Sequence, residues 1–362
     1  LAAETPAPGA PAGEPPLPPA LEELAEFQRK LAASYASLRD AAGVEYGCSD
    51  KEVVHRADKL ALYRYKPIAP SAGLPPVLIV YALVNRPYMM DLQPDRSVIR
   101  RLLELGLDLY LIDWGYPDGA DRFIDLNDYI NGYLHDCLSV VLREHRVAST
   151  TVLGVCQGGT FSLCYAALHP QRVRNLITMV TPVDFQTPDN LLSRWARSID
   201  VDALVAAHGI IPADLLNAAY VSMMPFRLLQ QKYVNMVDSA GDRAAAENFM
   251  RMEKWIFDGP GQAGAAFGEF VRWFFQENRL LEGTLSIGGR PVDLRAITQP
   301  VLNIYGKQDH IVPPAASTAL EGRLGTQDYM SLGLDLGHIG MYVSSRAQRE
   351  LPQAIAYWLQ RR

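Results

Sequence analysis

Cysteine is scarce in this 362-residue chain: there are four. Cys48, Cys137, Cys156 and Cys164 show no metal-ligand spacing to one another or to the seven histidines. That pattern excludes a disulfide framework, and unpaired thiols fit a reducing cytoplasm. No H-E-x-x-H pair occurs, so no metal site is expected. No apolar run reaches the length of about 18 residues that a transmembrane helix needs. No leader with a charged start and an apolar middle is read either, although the chain opens on leucine. Basic residues do not exceed acidic ones, 34 against 40 for a net charge of -6, which leaves no footprint for nucleic acid. Apolar residues are what the chain has in quantity. At 49% hydrophobic it can bury a large core, and one elaborated α/β domain is the simplest count.

Residues 1–20 are Pro/Ala-rich, from Thr5-Pro6-Ala7-Pro8 to Pro15-Pro16-Leu17-Pro18-Pro19, and read as a disordered preface to a domain over 21–362. Leu24, Phe27, Leu31 and Tyr35 recur at helical spacing, predicting an amphipathic helix over Leu21–Leu38 that either packs on the domain or faces a partner. Strands are expected at Lys59–Tyr65, Val77–Tyr81, Leu107–Ile112, Thr151–Val155 and Leu176–Val180, with helices at Arg96–Leu105 and Leu126–Glu144. Such alternation predicts a mostly parallel sheet with helices on both faces. From 188 to about 281 it gives way to helical, Met- and aromatic-rich sequence: Met223-Met224-Pro225-Phe226, Met252–Phe257 and Phe270–Phe275. A stripe of that kind commonly builds core. Its position, ahead of the next strand, instead predicts an inserted helical lid.

Gly154-Val155-Cys156-Gln157-Gly158 follows the apolar run Thr151-Val152-Leu153. A nucleophile on a tight strand-to-helix turn needs nearly side-chain-free positions two before and two after it, and Gly154 and Gly158 supply them. Phe161, Leu163, Cys164, Ala167 and Leu168 then suit a buried helix, ended by His169-Pro170. The N-terminal dipole of that helix favours a thiolate at Cys156 and a developing oxyanion beside it. Downstream, the strand Val301–Tyr305 leads into Gly306-Lys307-Gln308-Asp309, and Leu334-Asp335-Leu336-Gly337-His338 puts a histidine in a later loop. The order nucleophile, acid, histidine is that of the α/β-hydrolase fold. Among the competitors, His310 suits a supporting role and His169 a helix end. Cys164 suits a buried hydrophobe, and Asp335 lies too close to His338 in sequence to be the favoured acid.

In this reading Cys156 attacks an acyl carbon and His338 accepts its proton. Asp309 either holds the imidazole in the needed tautomer or acts on a substrate hydroxyl. The oxyanion donors are the backbone N–H of Gln157 and, in the loop Ala82-Leu83-Val84-Asn85-Arg86, that of Val84. A cysteine that attacks a thioester makes another thioester and so keeps the acyl group activated for a second acceptor, which suits a transferase. An alcohol as acceptor makes an oxygen ester, and a hydroxyacyl substrate repeats the cycle as polymerisation. A lid that excludes water would protect the intermediate.

Tyr81-Ala82-Leu83-Val84-Asn85-Arg86-Pro87-Tyr88-Met89, Leu111-Ile112-Asp113-Trp114-Gly115-Tyr116-Pro117 and Asp128-Tyr129-Ile130-Asn131-Gly132-Tyr133 are long, specific strings. With the elbow, Lys232–Asp238, Met252–Asp258 and Asp309-His310-Ile311-Val312-Pro313-Pro314, they make the chain resemble the catalytic subunit of the class III polyhydroxyalkanoate synthases from about Val44 onward. Classes I and II carry a larger N-terminal region, and class IV typically has methionine in place of Gln157. The Pro/Ala-rich start departs from the family core. The resemblance implies Cys156, Asp309 and His338 as the catalytic set and (R)-3-hydroxyacyl-CoA, above all 3-hydroxybutyryl-CoA, as substrate, with no cofactor because the CoA thioester is itself the substrate. It further implies a growing polyester chain, a companion non-catalytic subunit, and a cytoplasmic location on the polymer granule surface, and it leaves a homo-oligomer open. A cysteine thioesterase of the same fold and a non-catalytic granule-binding scaffold are the competing readings.

Overall fold

The computed structural model describes residues 45–224 and 242–362, together with Arg29 and Phe226. The preface at 1–20, the helix expected over Leu21–Leu38 and the string Lys232–Asp238 lie outside the described residues. The chain divides into two compact units, 1–44 with 226–250, and 45–225 with 251–362. The second carries the sheet.

Among the described residues eight strands form one sheet: β1 (Lys51–Ala57), β2 (Leu60–Tyr65), β3 (Val77–Val80), β4 (Leu109–Asp113), β5 (Thr150–Val155), β6 (Val173–Met179), β7 (Val301–Gly306) and β8 (Tyr329–Leu334). Their order is β1-β2-β4-β3-β5-β6-β7-β8. From β4 to β8 the pairings are parallel, while β2 runs antiparallel to both β1 and β4. The expected strands are all present, with ends shifted by a few residues. Two were not foreseen. β1 carries Lys51, Glu52, His55 and Arg56, and most of β8 is at least partly exposed. Charged or half-exposed edge strands lack the continuous apolar run that marks a central strand, and that charge discourages further pairing at the edge.

The central strands are buried on both faces, and their side chains alternate between two cores. Leu78 and Val80 of β3 join one cluster with Phe161, Leu163 and Tyr165. Val77 and Ile79 join the other with Ile99, Leu102, Leu351 and Ile355. The period of two in a strand produces this division. The helices that cover the faces include α1 (Val98–Glu104), α2 (His135–His145) and α3 (Gln157–Leu168). Ser97 caps α1 by accepting from the Arg100 N–H at 2.8 Å. The helix expected over Leu126–Glu144 opens as a π-helical turn, Asp128–Leu134, before becoming α2. Every residue of α3 is buried, and the Thr160 and Ser162 hydroxyls donate to the Pro182 and Gly158 carbonyls.

Between β6 and β7 lie α4 (Leu191–Ala196), α5 (Val201–His208), α6 (Ala213–Met223), α7 (Arg243–Phe257) and α8 (Gly264–Phe270). The aromatic run Phe270–Phe275 differs from its expected place in a lid. Phe270 meets Phe161 edge-on at 6.0 Å and Phe185 at 5.7 Å, and Phe274 is fully buried. It is core beneath the elbow helix, the ordinary role of an aromatic stripe. After β8 come α9 (Gly340–Val343) and α10 (Ser345–Leu359).

The strand order sets the position of the site. β3 is flanked by β4 on one side and β5 on the other, so the chain order reverses there and the loops leaving β3 and β5 border one crevice.

Candidate active site

Cys156 sits between β5 and α3 with φ 54° and ψ −124°, a conformation costly for a residue with a Cβ. The neighbouring glycines make the turn feasible. A Cβ on Gly158 would lie 2.2 Å from the Val80 carbonyl oxygen and 2.5 Å from that of Tyr81, and a Cβ on Gly154 would meet Gly159 Cα at 2.5 Å. Gly159 was missed in the sequence, yet its Cβ would fall 1.8 Å from Thr181 Oγ1; the Gly158-Gly159 doublet was the available signal. Gly158→Ala is expected to destabilise the protein by about 3 kcal/mol or more, because the obstructing atoms are backbone of the central strand. An unchanged denaturant midpoint would contradict this.

Asp309 and His338 leave the ends of β7 and β8 and meet in space. His338 Nδ1 donates to Asp309 Oδ2 at 2.7 Å. The other oxygen, Oδ1, accepts from the Ile311 and Val312 N–H groups, each at 2.9 Å. The Asp309 side chain is 0% exposed. With Nδ1 committed to the carboxylate, Nε2 faces the remaining partners: the Tyr342 hydroxyl lies 3.5 Å from it, and Cys156 stands near enough for its charge to act on the ring. Burial pushes the His338 pKa down, but the charge and hydrogen bond of Asp309, with a further contribution from nearby Cys156, outweigh it, and the net shift is upward. Tyr342, four residues after His338 on the following helix, had no signal beyond that spacing. Burial and nearby charges hold its hydroxyl protonated.

Burial raises the pKa values of Tyr81, Tyr220 and Tyr342, and the charge of Cys156 adds to the rise in each, so these phenols of the β3 loop, α6 and α9 lie in its electrostatic neighbourhood. Asp335 is not part of this group; it accepts from Gln308 Nε2 at 2.9 Å on the surface. His169 closes α3 and bonds Asn131 Oδ1 at 2.9 Å. Among the described residues, no group of three or more His, Cys, Asp or Glu side chains is gathered to hold a metal ion.

The loop after β3 is fixed from several sides. Leu83 N–H donates to Gln157 Oε1 at 3.1 Å, and Trp114 Nε1 donates to the Tyr81 carbonyl at 2.9 Å. Arg86 pairs with Asp113 at 2.6 Å, and the Arg86 carbonyl accepts from Trp255 Nε1 at 2.8 Å. Asp258 takes the hydroxyls of Tyr88 at 3.0 Å and Tyr116 at 2.5 Å. The sequence strings around Tyr81–Tyr88, Asp113–Tyr116 and Trp255–Asp258 therefore converge on one loop.

The four thiols differ sharply. Burial raises the Cys137 and Cys164 pKa values, that of Cys164 to about 12. Burial and the Asp91 carboxylate push Cys48 up to about 11. Only Cys156 adjoins an imidazole and a helix N-terminus while remaining partly exposed. Brief iodoacetamide treatment near pH 7.5 is expected to label Cys156 at least about tenfold faster than the other three. Peptide mapping that found equal labelling would overturn this ranking.

A sequence profile described as the alpha/beta hydrolase fold matches residues 75–342. A second, described as the N-terminus of poly-beta-hydroxybutyrate polymerase (PhaC), matches residues 21–102. The chain is 54% identical over 343 residues to the poly(3-hydroxyalkanoate) polymerase subunit PhaC of Allochromatium vinosum, covering 94% of this chain and 97% of that protein. The subunit of the same name from Thiocystis violacea is 51% identical over 94% of this chain and 96% of its own. That from Synechocystis sp. is 47% identical over 94% and 93%. Among solved structures, a hydrolase from Pseudomonas aeruginosa aligns at TM-score 0.51 and 17% identity, over 85% of this chain and 96% of its own. A thermophilic esterase from Thermogutta terrifontis aligns at 0.50 and 16%, over 86% and 98%. These two likenesses concern the fold alone. With the hydrolase sheet in place and 47–54% identity to PhaC subunits over nearly their whole length, the chain belongs to the poly(3-hydroxyalkanoate) polymerase PhaC family, in its class III branch.

Proposed function

We propose that this chain polymerises (R)-3-hydroxyacyl-CoA, with 3-hydroxybutyryl-CoA as the main substrate, through a thioester on Cys156. The observation that carries the reading is a cysteine on the strained elbow, beside an imidazole whose Nδ1 is held by a buried carboxylate. The polymerase names of its relatives support the substrate class.

The Cys156 sulfur attacks the thioester carbonyl carbon while its proton resides on His338. The tetrahedral oxyanion forms toward the N–H groups of Gln157 and Val84. On collapse, the carbon–sulfur bond to CoA breaks and the His338 proton leaves with the CoA thiol. The 3-hydroxyl of a second acyl group then attacks the Cys156 thioester, giving its proton to His338, and Cys156 leaves as thiolate. One ester bond has formed and the thiol is regenerated. Asp309 acts through His338, since its oxygens are taken by Nδ1 and two backbone donors and its side chain is closed to solvent. No cofactor is needed in this cycle.

α6 contributes to a water-excluding cover, a role supported by the action of the Cys156 charge on Tyr220 of that helix. A companion subunit and a granule surface complete the setting; the word "subunit" in the relatives' names supports the first. Among the described residues no helix is long and apolar enough to cross a membrane.

The test supplies the purified chain with (R)-3-hydroxybutyryl-CoA, with and without a class III companion subunit, following CoA release and acyl product together. Polymer, stimulated by the companion, is the expected result. CoA release with only free 3-hydroxybutyrate would replace this reading by a thioesterase.

A further inference from the structure

We infer that the side chain of Gln157 is a positioning residue that sets the second oxyanion donor, in addition to the backbone N–H that Gln157 itself contributes. The inference rests on the proposed acyl-transfer reading and deepens it.

Gln157 is the first residue of α3 and is 6% exposed, so its polar side chain must be satisfied inside the protein. Its carboxamide reaches across to the loop after β3, where Oε1 accepts the Leu83 N–H at 3.1 Å. A backbone N–H can only donate, so the oxygen, not the nitrogen, must face Leu83. The reach is short because Gly158 lets the start of α3 lie against the Val80 and Tyr81 carbonyls.

The bond removes one N–H of this loop from the set available to an oxyanion and leaves the next. Among the described residues, no protein acceptor takes the Val84 N–H. Asn85 follows in a left-handed conformation, φ 61°, and turns the chain away. One residue thus couples both donors: its own N–H at the helix start, and the orientation of the loop that presents Val84. Preorganised donors stabilise an oxyanion because they need no reorientation when charge develops. Without the Oε1 anchor, the loop can rotate the peptide before Val84, and the Leu83 N–H competes for the same space.

The experiment compares acylation with alkylation of Cys156. Acylation by (R)-3-hydroxybutyryl-CoA passes through a tetrahedral oxyanion; displacement on iodoacetamide, at a saturated carbon, does not. Gln157→Met keeps length and suits burial but has no strong acceptor, whereas Gln157→Glu keeps an acceptor oxygen. The expected result for Gln157→Met is acylation slowed about 10- to 100-fold, below the full loss of a deleted donor, with the alkylation rate within about twofold of the parent. Gln157→Glu is expected to acylate faster than Gln157→Met. Parent-like acylation in folded Gln157→Met, alkylation falling in step with acylation, or Gln157→Glu no better than Gln157→Met would each overturn the inference. If Gln157→Met does not fold, the Glu variant decides alone: acylation lost with alkylation retained would overturn the acceptor role. A parent chain that never acylates Cys156 would instead overturn the proposed function.

Discussion

Cys156→Ala is expected to abolish CoA release and polymer formation, with a loss on the order of 10⁵-fold or more, as when other enzymes lose a covalent nucleophile. The substitution removes only Sγ. Alanine keeps the Cβ, so the backbone cost of φ 54° is the same before and after, and the helix behind the elbow loses no packing partner of consequence. The thermal midpoint is therefore expected to stay close to that of the parent, which separates loss of chemistry from loss of fold. Mass spectrometry completes the measurement: the parent shows an acyl adduct on the elbow peptide and the variant shows none. Polymer made by Cys156→Ala would end the covalent reading outright.

Asp309→Asn is expected to slow elongation far more than it slows acylation. The carboxamide must present its oxygen to the Ile311 and Val312 N–H groups, which places its NH₂ against His338 Nδ1. The imidazole then carries its proton on Nε2 and cannot accept one from a nucleophile. In a hydrolase triad the comparable change costs about 10⁴-fold. The two half-reactions do not depend equally on that base. A thiol, with an ordinary pKa of about 8.5, is partly ionised near neutrality. The substrate hydroxyl is a far weaker acid and needs a general base throughout. Single-turnover acylation should fall about 10-fold or less, while elongation falls about 10³- to 10⁴-fold. Equal loss of both steps would overturn the assignment of Asp309 to supporting the base for the alcohol.

The strained elbow at Cys156, its glycines and the acid–histidine pair that meets beside it were legible because each leaves a local mark. Cys156 lies between Gly154 and Gly158 after an apolar strand, and Asp309 follows another. The central strands were legible for the same reason: burial on both faces writes a continuous apolar run. The edge strands were not, since β1 is charged and β8 largely exposed. Phe270–Phe275 was misplaced because an aromatic stripe looks alike whether it covers a site or fills a core, and only the contacts with Phe161 and Phe185 distinguish the two.

By itself, then, the sequence determined the fold class and named the candidate groups for the chemistry, for these depend on residue type, spacing and local periodicity. Tertiary structure alone decided that Asp309 is sealed behind His338, that Gln157 reaches the Leu83 N–H, and that Asp258 gathers Tyr88 and Tyr116 beside the same loop. The partners in each pair are separated by 29 to 170 residues. The chain passes between them through strands and helices whose crossing at the β3 and β5 ends no local pattern encodes.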